Sequence, residues 1–178
     1  MSLRRNLALV TGAVALTTTL SSCGFDLATD QVYTPAAGTN DRETEVNVLS
    51  AVVVAAQDDA GTFVGGLANT AADELSLTGL SAADTSVTVA DFDPVDVAPD
   101  GYTGVGTTED GIGLTGSFAA GDVLELTFTF DNGESATMDV PVVPACREFE
   151  GFDTASTTAT GETYDCEAEE PVVTYGEH

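Results

Sequence analysis

At 178 residues the chain has length for one ordinary domain with tails, and its formal net charge of −26 makes that domain intensely acidic. Its four basic residues are all arginines, Arg4, Arg5, Arg42 and Arg147, set against 30 Asp and Glu. A surface of that sign repels phosphate backbones and anionic headgroups, which excludes nucleic acid as a partner and excludes membrane adhesion through basic residues.

The first element in chain order is a leader. Arg4 and Arg5 precede an apolar run from Leu7 to Leu20, and Leu20-Ser21-Ser22 leads into Cys23 and Gly24. Positive charge, a short apolar stretch and small residues in that order predict a secretory signal peptide over residues 1–22. Thr11, Gly12 and Thr17 to Thr19 interrupt the run, which is shorter than the ~20 apolar residues a bilayer-spanning helix needs. The cysteine at the processing point resembles a bacterial lipobox, which implies that Cys23 becomes the diacylated first residue of the mature chain. An ordinary signal peptide cut nearby, with Cys23 incidental, is the other reading. One acyl chain holds a protein on a bilayer marginally and two hold it stably. The expected location is therefore the outer face of the cytoplasmic membrane, with membrane lipid as partner through the diacylglycerol on Cys23. Residues 23–44 carry Gly, Pro, Thr, Asn and Asp without periodicity and read as a tether. As a random coil such a segment reaches ~25 Å.

From Val46 the pattern turns to β. Val46 to Val54 is rich in β-branched residues and reads as a largely buried strand, and Thr62 to Asn69 returns after a turn at Gln57 to Gly61. Glu74–Leu80, Ser86–Ala90, Val95–Ala98 and Ile112–Thr115 are shorter candidates. Leu124 to Phe130 alternates apolar residues with Glu and Thr, Asp131-Asn132-Gly133 supplies a hairpin turn, and Ala136, Met138, Val140 and Val142 alternate inward on the return. Short strands separated by turn signals predict an all-β fold, an immunoglobulin-like or cupredoxin-like β-sandwich of seven or eight strands over residues 45–144.

After Pro144 the chain becomes irregular and acidic, and residues 145–178 read as an extension. Once Cys23 carries lipid, Cys146 and Cys166 are the remaining thiols, and an even pair outside the cytoplasm reads as a disulfide. Closing that loop restricts the unfolded chain by roughly 3 kcal/mol. An ordered excursion of this kind is a binding or covering element more often than core, and it is a candidate part of a docking surface.

Gly111-Ile112-Gly113-Leu114-Thr115-Gly116 matches the dinucleotide-binding glycine pattern, but that pattern requires a helix to follow, and here it reads as turn chemistry. Asp91, Asp93, Asp96 and Asp100 are hard oxygen ligands suited to calcium, without the spacing of an EF-hand; a solvated acidic loop is the plainer reading. The single histidine, His178, is the last residue, so no Ser–His–acid arrangement can be built on a fixed imidazole. Paired cysteines supply no thiol nucleophile. The expectation is a protein that is not an enzyme, with no catalytic residue, no metal ligand and no cofactor assigned.

The runs Leu77-Thr78-Gly79-Leu80-Ser81 and Phe118 to Phe128, with the hairpin into Val140-Pro141-Val142, resemble the periplasmic copper chaperones of the PCuAC type, nearest to their actinobacterial LpqE-like lipoprotein branch. The resemblance spans about residues 45–143 and implies a cupredoxin-like sandwich. It also implies a copper site built from a His-x-Met pair and an earlier histidine. Those positions fall on Gly111-Ile112-Gly113 and near Ala90 or Asp91, none of which can ligate copper, and Met138 reads as core. The LpqE-like branch implies association with a membrane respiratory complex, the cytochrome bcc–oxidase supercomplex. The alternative is a metal-handling chaperone with another site, either His178 with acidic residues or the aspartate cluster; an adhesin or envelope spacer is a third possibility.

Overall fold

The computed structural model describes residues 38–106, 111–155 and 162–167. The signal peptide, Cys23, the tether as far as Ala37, and His178 lie outside the described residues. The strands are β1 Thr39–Asp41, β2 Val46–Gln57, β3 Ala60–Asn69, β4 Leu75–Ala82, β5 Val87–Val89, β6 Val95–Val97, β7 Tyr102–Val105, β8 Ile112–Gly116, β9 Val123–Phe130 and β10 Ser135–Pro144, followed by a 3-10 turn at Arg147–Phe149.

Hydrogen bonding links them in the order β5-β8-β3-β2-β10-β9-β4-β6, with β1 added to β2 and β7 to β3. The path folds over on itself so that β2, β3 and β8 face β4, β9 and β10 across one core. Phe63 of β3 and Phe128 of β9 meet in that core, ring centroids 5.2 Å apart and tilted 59°. The two halves join where β2 and β10 run parallel through three register pairs, Val53 with Val142 to Ala55 with Pro144. The other ladders are antiparallel.

The hairpin expected at β9–β10 is present. Leu124, Leu126, Phe128 and Phe130 are buried, as are Ala136, Met138, Val140 and Val142, and the intervening residues face out or are partly covered. Gly133 takes φ 88° in the turn, and its N–H donates to the Phe130 carbonyl at 3.1 Å. That positive φ is why glycine stands there. The all-β expectation holds, with ten strands among the described residues in place of seven or eight. The additions are β1, inside the segment read as tether, and β7, four residues with a glycine among them. Neither has enough alternation of its own; each exists because a longer strand offers it an edge.

The residues after Pro144 are more tightly built in than an excursion would be. β2 is buried on both faces from Ala51 to Ala55. Its inner residues Ala51, Val53 and Ala55 join the main core, while Val52 and Val54, with Val64 of β3, form a second apolar cluster on the outer side. Phe149 and Phe152 pack on that outer cluster. The front part of the extension is therefore a cover over the central strands.

Candidate functional site

The positions that the copper-chaperone resemblance marks do come together. β5 pairs with β8, setting Val89 opposite Leu114, and the Ala90 N–H then donates to the Gly113 carbonyl at 2.8 Å. Gly111-Ile112-Gly113 and Ala90-Asp91 thus lie side by side at one end of the sandwich. Four of these five residues offer no metal ligand, and the fifth, Asp91, is an exposed carboxylate, a hard oxygen donor unlike histidine or methionine. Ile112 is a core residue, 2% exposed, and Gly111, Gly113 and Ala90 carry no donor side chain.

Space is lacking as well. A Cβ placed on Gly111 would collide with the Thr62 methyl and come within 3.1 Å of Thr154 Oγ1, and one on Gly113 would come within 3.2 Å of the Ala155 Cβ. Thr62, fully buried in β3, accepts from the Thr154 and Ala155 N–H groups at 2.9 Å each and donates to Asp153 Oδ1 at 3.0 Å. Asp153 Oδ2 accepts from the Ala56 N–H at 2.6 Å. The C-terminal cover is pegged onto β2 and β3 where the His-x-Met pair would have to stand. The residues present do not fit copper held in the family's manner. Met138 lies in the main core, as its strand position predicts.

The calcium-like aspartates are not gathered either. Among the described residues no three His, Cys, Asp or Glu side chains converge on a point that could hold an ion. Asp96 Oδ1 accepts from Ser76 Oγ at 2.7 Å, and Asp100 sits in a turn at φ 50°. From Ile112 to Gly116 the glycine run is strand, and the next element is strand β9, so among the described residues no helix follows it to meet a pyrophosphate.

Cys146 and Cys166 form the expected disulfide, with Cα atoms 5.4 Å apart. It ties residues 162–167 to the cover. Tyr164 completes the fastening: its N–H donates to the Ala56 carbonyl at 2.7 Å, its hydroxyl accepts from the Ala120 N–H at 3.0 Å, and the same hydroxyl donates to Asp58 Oδ1. Thr62, Asp153 and Tyr164 are the residues that sequence reading missed. A threonine inside an apolar strand was the one available signal, and it pointed to no partner.

Burial, and then the hydrogen bond to Asp58, push the Tyr164 phenol above its ordinary value. The neutral phenol is the form that bonds Asp58, so its contribution is fully present below the ordinary tyrosine range near 10. It is lost as pH rises through the raised value. Phenolate absorbance against pH should show one tyrosine titrating late, and Tyr164→Phe should remove that component. An unchanged titration curve in the variant would dissociate Tyr164 from the fastening.

A groove of about 560 Å3 lies beside this end. One wall is residues 91–96, the crossover from β5 into β6; the other is residues 103–106, the end of β7, with Gly111 and Ile112 between them. The walls meet where Thr103 Oγ1 donates to the Asp96 carbonyl at 2.9 Å.

No protein-family model matches the chain, and no curated protein does. Among solved structures it is similar to a copper-bound PCuAC domain from PmoF2, at 16% identity over 60% of this chain and 98% of that one, with a TM-score of 0.48. It is also similar to an apo PCuAC domain from PmoF1, at 13% identity over 60% of this chain and 99% of that one (TM-score 0.49). An apo PmoF2 PCuAC domain gives 16% identity, coverage of 60% and 95%, and a TM-score of 0.47. These chains bear the family name that the sequence resemblance gave; the LpqE-like branch is not among the three. At such identities and scores the likeness places no ligand, partner or activity on this chain.

Proposed function

We propose that the chain is a lipid-anchored, extracytoplasmic accessory subunit that works by presenting a surface to a membrane complex and performs no catalysis. One observation carries the reading. The end of the sandwich where a copper chaperone of this resemblance would hold its metal is built from glycine, alanine and a core isoleucine, with no histidine or methionine beside the exposed Asp91, and is roofed by a hydrogen-bonded cover. A fold freed from carrying a metal, on a tether, retains its outer surface as the means of acting. The sequence resemblance to the LpqE-like branch names the cytochrome bcc–oxidase supercomplex as the complex. The alternative, a metal-handling chaperone, needs ligands from elsewhere in the chain.

Solubilisation in a gentle detergent, pull-down on the intact lipoprotein and identification of the accompanying subunits tests the reading. Respiratory subunits in stoichiometric amount are expected; a lipoprotein that comes off the membrane alone in every such detergent overturns it. Copper titration of the same material separates the alternative, which requires tight binding. Anchoring is tested at one sulfur. Cys23→Ala should abolish lipidation, leaving the protein unprocessed or released from the membrane. Membrane fractions unchanged in amount and apparent mass would end the lipoprotein reading.

A further inference from the structure

We propose that the groove between β6 and β7 receives an extended, lysine- or arginine-bearing peptide segment of a protein partner, which adds as a strand along the open edge of β7. The inference rests on the docking function above and names the surface and chemistry through which it would act.

Three features meet here. Among the described residues β7 is hydrogen-bonded through the ladder on its β3 side only, and β6 on its β4 side only. In an antiparallel pair every second residue turns its N–H and C=O away from its partner strand, so β7 presents backbone groups outward at the groove. A strand edge of this kind is a template for another chain. The lining is mixed: Val105 and Ile112 close the groove from beneath with almost no surface of their own, while Phe92 and Val95, half-buried on a wall that also carries Asp91, Asp93 and Asp96, keep part of their side chains open to it. Phe92 and Val95 give side chains of an incoming strand a place to pack.

Charge selects the occupant. Asp91 and Asp93 stand exposed on the rim, while Arg42 and Arg147, the cations of the described residues, are not part of the lining. An acidic wall with the half-open side chains of Phe92 and Val95 set into it fits a segment that alternates basic and apolar residues. The whole surface is acidic, so general attraction of any cation is the effect that must be told apart from docking in the groove.

The test uses the intact lipoprotein in detergent and a labelled, end-blocked peptide of about eight alternating lysine and valine residues. A second peptide has the same charge with prolines at alternate valines, so that it cannot pair as a strand. Fluorescence anisotropy measures binding, and hydrogen exchange locates it. The alternating peptide should bind and protect residues 102–106, and the proline peptide should bind about tenfold more weakly. Asp91→Asn with Asp93→Asn should weaken the alternating peptide about fivefold. Glu125→Gln with Asp139→Asn, the same charge change on an exposed cross-strand pair of β9 and β10, should change it less than about twofold.

Equal binding of the two peptides, equal losses in the two double variants, or exchange protection elsewhere overturns the groove and leaves diffuse attraction. That failure is separable from failure of the docking reading. If the groove fails while respiratory subunits still accompany the lipoprotein, docking uses another face. If the peptide seats in the groove while the lipoprotein leaves the membrane alone, the partner is a different basic protein.

Discussion

A chain ending at Ala145 should lose at least ~3 kcal/mol of stability, a large part of the ~5–15 kcal/mol a domain of this size has. The reason is the outer face of the central strands. Val52, Val54 and Val64 are 1%, 0% and 9% exposed, and the residues packed on them include Phe149 and Phe152 from beyond the cut. Each valine returned to water costs up to about 1.5 kcal/mol. The cut also removes Asp153 from the Ala56 N–H and leaves Thr62 without its partners from 153–155. Urea midpoints of the full and shortened chains measure the effect. Phe149→Ala with Phe152→Ala in the full chain keeps the disulfide and should by itself reproduce about 2 kcal/mol of that loss. Midpoints that coincide would show the cover to be decorative.

Phe63→Ala is expected to be the most damaging single substitution, at ~3–5 kcal/mol. Phe63 is fully buried in β3 and meets Phe128 of β9, so it ties one half of the sandwich to the other at the centre of the core. Truncation to alanine leaves a void that strands on both sides are held from filling by their own ladders. Phe63→Leu should cost clearly less because it keeps most of the volume. Val123→Ala, at a valine 59% exposed, should stay within about 0.5 kcal/mol. A Phe63→Ala variant as stable as Val123→Ala would contradict the two-layer core.

The parts of the fold that could be read from sequence carried their own instructions. β9 and β10 alternate strictly and are joined by a turn with glycine where φ must be positive, so local pattern and tertiary burial agree. The disulfide followed from parity and compartment. β1 and β7 could not be read, because three or four residues carry no period; β1 pairs with the neighbouring β2 across a register shift, and β7 with β3 far back along the chain. The double burial of β2 was visible as a run of valines; that Phe149 and Phe152 cause it was not, since they stand in a stretch with no pattern. At the candidate site, the resemblance located Gly111–Gly113 and Ala90 well enough that the structure sets them in contact. The roof of Asp153, Thr154 and Ala155 on Thr62 left no trace in the spacing of residues.

The parallel seam between β2 and β10 bears on when the protein can fold. The first long strand must wait for the last, with nearly the whole domain between them, before the two halves are joined. Closure of such distant contacts is slow, because the loop entropy is spent before the contact repays it. A proposed export substrate, threaded through a membrane as an extended chain, has use for that delay. On the proposed export, the missing C-terminal strand would keep the emerging chain open until synthesis and transit are complete, and the cover and its disulfide would then lock the sandwich.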